Sequence, residues 1–190
     1  MSLTWNELQS FTGPVRVPLK EMFALVLSNP TVVLEGWAQE HDPLYKMIPK
    51  DEEYSAVGAL QINGATFVFL RDPSDGYRSY LGQTIIVPNH RLSTTFAPLP
   101  CAVRLSSDSQ YWDDPLLNSE QRPSLVDVVA SDTQDVVVTL GTEYRDMYYP
   151  ISVFSINPKA LDAALPIASK RVLEQAVQSL EQTTPHKRKI

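Results

Sequence analysis

Two short segments concentrate side chains suited to recognition. DGYRSY (75–80) and EYRDMYY (143–149) each set one arginine among tyrosines and an acid, and five of the eight tyrosines, Tyr77, Tyr80, Tyr144, Tyr148 and Tyr149, fall in them. Tyrosine rings supply rigid contact area. The guanidinium groups of Arg78 and Arg145 supply planar forks that grip a carboxylate or phosphate through paired hydrogen bonds. The plain structural alternative is strand-end tyrosines packed over arginine stems, with Arg–Asp pairs at the surface.

A third segment, YWDD (111–114), raises carboxylate chemistry. Acid/base catalysis needs two carboxylates facing each other across a substrate, whereas neighbours on an extended chain point to opposite sides. A calcium loop needs oxygen ligands at alternating spacing around a glycine turn. The stretch SSDSQYWDDPLLNSEQ offers Asp108, Asp113, Asp114 and Glu120 with neither feature. Asp113-Asp114-Pro115 reads as a turn whose aspartates bond their own backbone, and the four acids read as an acidic surface. DPSDG (72–76) is a turn on the same grounds. No metal site and no cofactor is expected.

Other enzyme classes lack their parts. No glycine precedes a lysine, so a phosphate-cradling P-loop is missing, and neither G-x-G-x-x-G nor G-x-S-x-G occurs. His41, His90 and His186 stand apart, without the spacing that seeds a metal site. Cys101 with His41 or His90 as base would make a nucleophile, but a lone cysteine in PLPCAVRL at a strand edge reads as a small apolar core residue. The reading leans away from an enzyme.

Composition narrows the partners. With 43% hydrophobic and 20% charged residues the chain is ordinary globular material, and 190 residues suit one domain, expected over 1–183, ahead of a basic, disordered tail at 184–190. Seven acids, Asp108, Asp113, Asp114, Glu120, Asp127, Asp132 and Asp135, face only Arg122 within 107–135, so this window carries the whole net charge of −6. Such an excess argues against nucleic acid, which needs a basic stripe, and favours a protein partner with a basic surface. The opening MSLTWNELQSFTG has no signal-peptide pattern and the apolar runs are too short to span a bilayer, so a soluble protein in a reduced, cytoplasmic setting is expected, with no membrane partner.

The elements that would position these groups follow from periodicity. Thr4 caps a helix over WNELQSF, and Pro18 opens a second through LKEMFALVLS, with Leu19, Met22, Phe23, Val26 and Leu27 on its packing face. Strands are predicted over TVVLEGWAQ (31–39), 82–88, 101–107, 135–141 and 151–157. The clearest element is YSAVGALQ-ING-ATFVFLR, where Asn63-Gly64 signals a two-residue hairpin turn. Its register pairs Ile62 with Ala65, Leu60 with Phe67 and Gly58 with Phe69 on one face, and Ala59 with Val68 and Val57 with Leu70 on the other. Both faces are apolar, so the hairpin should lie centrally in a sheet covered on both sides. Asn157-Pro158 caps a short helix over KALDAAL, and Pro166 opens a final one whose stripe Val172, Leu173, Ala176, Val177 and Leu180 is assigned to core packing. The fold class is α+β: an antiparallel-rich sheet of about six or seven strands, with N-terminal helices and two C-terminal helices packed on it.

The function read from these features is a soluble, non-enzymatic binding protein, of the inhibitor, immunity, adaptor or assembly-factor kind. It would engage a macromolecular partner through the Tyr/Arg segments and the acidic surface. A second reading is a small anionic-ligand-binding protein or enzyme with Arg78 and Arg145 in a shared pocket. A third is a structural subunit that oligomerises through the C-terminal helix.

Overall fold

The computed structural model describes residues 3–39, 55–72, 80–88, 92, 94–106, 125–144 and 150–183. Helix α1 (Trp5–Gln9) is closed by a reciprocal cap: Thr4 Oγ1 accepts from the Glu7 N–H at 3.3 Å, and Glu7 Oε2 accepts from the Thr4 N–H at 2.8 Å. The Thr4 hydroxyl also donates to Glu7 Oε2 at 2.8 Å, and this bond, with the one from the Thr4 N–H, holds the Glu7 carboxyl below its ordinary pKa. A short strand, β1 (Val15–Pro18), runs straight into α2 (Leu19–Leu27), with Pro18 as the N-cap. Helix α2 buries Leu19, Met22, Phe23, Leu25 and Val26, whereas Leu27, expected on that face, is exposed.

Eight further strands follow: β2 (Val32–Gln39), β3 (Ser55–Ile62), β4 (Ala65–Asp72), β5 (Tyr80–Pro88), β6 (Thr95–Leu105), β7 (Leu125–Ala130), β8 (Val136–Tyr144) and β9 (Pro150–Ile156). All nine form one antiparallel sheet in the order β1-β5-β4-β3-β2-β6-β7-β8-β9. The fold is α+β as expected, but the sheet exceeds the six or seven strands anticipated. Two were missed for local reasons. The four residues of β1 end in a proline, and β7 carries Asp127 inside the window assigned to acidic surface. In fact every residue of β7 is buried, and Asp127 Oδ1 accepts from Thr139 Oγ1 at 2.8 Å.

The hairpin turn forms as predicted, with Asn63 at φ 49° and Gly64 at φ 78°. Four of the five expected pairs are present, but a bulge between Ala56 and Gly58 sets Ala56, not Val57, opposite Leu70. The turn is also latched to β2. Asn63 Oδ1 accepts from the Val33 N–H at 2.7 Å, and Glu35 Oε2 accepts from the Gly64 N–H at 2.7 Å. Both faces of β3 and β4 are buried. Leu60, Ile62, Phe67 and Phe69 join the main core, while Ala59, Val68 and Leu70 join a second cluster with Ala38, Ile85, Val87 and Leu92.

Strand β6 pairs with β2 over Thr95–Cys101 and with β7 over Cys101–Leu105, so the sheet steps sideways as it passes through. A staggered, twisted sheet curls on itself. Accordingly α2 touches both β5 and β6, which lie four strands apart in the order. Phe154 of β9 reaches across to Phe69 of β4, with ring centroids 5.7 Å apart, and occupies the space a Cβ on Gly58 would need. Trp5 meets Phe67 edge-on at 6.0 Å, so α1 contributes to the same interior.

The C-terminal region departs most from expectation. One helix, α3 (Pro158–Thr183), runs through Pro166 where two were predicted. Asn157 caps it, its Oδ1 accepting from the Ala160 N–H at 3.3 Å. Its first half packs Ala160, Leu161, Ala164 and Ala168 into the core, in contact with β6 and β8. Farther along, residues 173–179 are all exposed, including Leu173, Ala176 and Val177 of the stripe assigned to the core. At 3.6 residues per turn that stripe lies roughly 150° round the helix from the buried face of the first half. A continuous helix cannot turn both faces to one core.

Candidate binding surface

Most of the predicted site residues, Tyr77, Arg78, Arg145, Tyr148 and Tyr149, lie outside the described residues, as do Asp108, Asp113, Asp114 and Glu120. The described chain fixes where the two Tyr/Arg segments join the sheet. Tyr80, the last residue of the first segment, begins β5 and pairs with Asp72 at the end of β4. Glu143 and Tyr144, the first two residues of the second, end β8 and pair with Ile151 and Pro150 of β9.

In the sheet order β5 and β8 lie six positions apart. Following the antiparallel ladder, the start of β5 and the end of β8 fall at opposite ends of the sheet. A flat sheet would separate them by about 29 Å across the strands alone, at 4.8 Å per strand. The curl cancels this separation. The Leu81 N–H of β5 donates to Thr142 Oγ1 of β8 at 3.0 Å, a buried bond between residues 61 apart in sequence. Strand β1 pairs with β5 only over Gln83–Ile86, which leaves the Leu81 amide clear of that ladder. Leu81 is one residue from the first segment and Thr142 one residue from the second. The residues next to the two segments on the sheet, Leu81 and Thr142, are therefore in contact. Thr142, 4% exposed, was not among the expected site residues, and no local signal marks it.

Elsewhere the chemistry is sparse. Among the described residues no group of three His, Cys, Asp or Glu side chains could hold a metal ion. A groove of about 370 Å³ lies between the start of β8, the end of β9 and the start of α3, lined by Val136–Thr139 and Ser155–Pro158. Its polar side chains, Thr139, Ser155 and Asn157, carry no titratable group. Cys101 is fully buried, and burial pushes its thiol up to about 12 despite a hydrogen bond involving the Leu34 backbone. The thiolate that nucleophilic chemistry needs is thereby suppressed, in keeping with a core role. No helix among the described residues is long and apolar enough to cross a membrane. Comparison with family models, with curated proteins and with solved structures found no match.

Proposed function

We propose that this chain is a non-enzymatic binding protein that engages a macromolecular partner through the Tyr/Arg segments 75–80 and 143–149. The observation that supports this reading is the bond from Leu81 to Thr142 Oγ1, at 3.0 Å, which joins the strands flanking both segments. In this reading, segments anchored beside one contact on a rigid sheet act as one surface. Arg78 and Arg145 then supply a shared cationic, aromatic-rich patch on a chain whose net charge is −6. The acidic stretch with Asp108, Asp113, Asp114 and Glu120 adds complementarity to a basic partner and speeds encounter through long-range attraction.

The test is affinity capture from the native source with the unaltered chain and with Arg78→Ala plus Arg145→Ala, followed by titration of each captured protein. The double variant should keep its melting midpoint and lose at least about 2 kcal/mol of binding, as central interface residues do. A partner bound equally by both forms would overturn the reading. Phosphate or a dicarboxylate raising the melting midpoint of the unaltered chain, but not of the variant, would instead establish the small-anion pocket.

A further inference from the structure

The groove between β8, β9 and α3 lies at the opposite end of β8 and β9 from the segment 143–149, and the binding surface does not use it. Its volume of about 370 Å³ is at the small end of the range for ligand sites. Three neutral polar side chains line it, and their partners fix what each still offers. Thr139 Oγ1 donates its one proton to Asp127 Oδ1 at 2.8 Å, so toward a ligand that oxygen can only accept. Asn157 Oδ1 accepts from the Ala160 N–H at 3.3 Å. A backbone N–H can only donate, so the atom facing it is the amide oxygen, which leaves the amide nitrogen of Asn157 as a donor. Ser155, exposed and opposite Thr139 in the ladder, can do both.

We infer that the groove holds an uncharged peptide segment of another protein, lying extended across the start of β8 and the end of β9. Each peptide unit carries one N–H and one C=O, the complement of an accepting Thr139 and a donating Asn157. The β8–β9 ladder continues to Asn157, whose N–H donates to the Val137 carbonyl at 2.8 Å. Ser155 and Asn157 are therefore about 7 Å apart along an extended chain, the repeat at which a bound extended peptide presents its own like-facing groups. Half-buried Val136 and Ile156, with Pro158, add apolar wall for short aliphatic side chains. A charged ligand fits less well, because no lining side chain is titratable and it would give up hydration without a counter-charge. A sugar also fits less well, since no aromatic ring lines the groove to stack on its C–H face.

Titration of the isotope-labelled full chain with N-acetyl-alanyl-alaninamide, followed through amide chemical shifts, tests the inference. Saturable shifts confined to 136–139 and 155–160 are expected, with half-saturation at about 1 mM for a ligand of this size. Asn157→Asp keeps an equally good helix cap but exchanges the donor for an acceptor, so it should hold its melting midpoint and bind the peptide at least about tenfold more weakly. Ser155→Ala, at an exposed position, should weaken binding about threefold with the fold unchanged. Glucose and acetate at the same concentrations should leave these amides unmoved. The inference is overturned by the lack of a saturable shift up to about 20 mM peptide. Equal binding by the parent and both variants overturns it too, as do shifts at these amides from glucose or acetate in place of the peptide.

Discussion

Gly64 and Cys101 show how single residues carry this fold. At φ 78° Gly64 occupies backbone space that a β-branched residue resists, and its N–H is committed to Glu35. Gly64→Val should therefore lower stability by more than about 1 kcal/mol, read as a drop in the denaturant midpoint at unchanged slope. An unmoved midpoint would contradict the turn geometry. For Cys101 the folded chain keeps the thiol protonated up to about 12, against an ordinary value of 9.0. Below 9.0 both folded and unfolded chains hold the proton and nothing is lost. As the pH climbs above that value only the unfolded chain releases it, so stability falls by about 1.4 kcal/mol per pH unit. Cys101→Ala should remove this component, giving a shallower alkaline decline in unfolding free energy than the parent chain. Equal slopes would show that the thiol reaches solvent.

Among the elements, α3 is the most informative. Pro166 has no N–H to donate, and its ring crowds the carbonyl one turn earlier, yet the helix continues through it. Packing of Ala160, Leu161, Ala164 and Ala168 on the sheet holds the turns around it in place. Since Pro166 is itself exposed, replacing it disturbs no buried neighbour. Pro166→Ala should stabilise the chain, by up to about 3 kcal/mol if the whole propensity difference is realised. A lower melting temperature would mean that the proline is required for the path of the helix. The β3–β4 hairpin behaves oppositely: its local pattern and its final setting agree, and its strands lie inside the sheet, third and fourth of nine.

At the scale of the molecule, closure of the curled sheet rests on contacts between distant strands. Phe154 against Phe69 and Gly58 fills the interior, and Thr142 against Leu81 ties the rim. Thr142→Val keeps the shape but leaves a buried N–H without its acceptor, a loss of about 1–3 kcal/mol. Thr142→Ser retains the hydroxyl and should cost less. Hydrogen exchange at the Leu81 amide reports the change directly, and it should quicken in the valine variant alone. Equal exchange in all three forms would mean that the rim is held elsewhere, and the support for a joint Tyr/Arg surface would fall with it.

What could be read from the chain alone was whatever a few neighbouring residues decide. Thr4 and Glu7 form the first cap, Asn63-Gly64 forces a tight turn, and alternation on its two sides defines two-faced burial, so the hairpin and four of its pairs were legible. The Ala56–Gly58 bulge was not, because the Phe154 ring that lies over Gly58 comes from a strand far along the chain. Asp127 looked like surface until Thr139 on the neighbouring strand supplied its partner. The stripe on α3 looked like core because periodicity reports an apolar face without saying what it meets. The candidate site divides in the same way. The Tyr/Arg composition is local and visible, but the contact between Leu81 and Thr142, beside which its two halves are anchored, depends on the stagger through β6 and the curl that follows. Only tertiary structure decides that, since sheet curvature sums small offsets over nine strands and no short stretch of sequence contains the total.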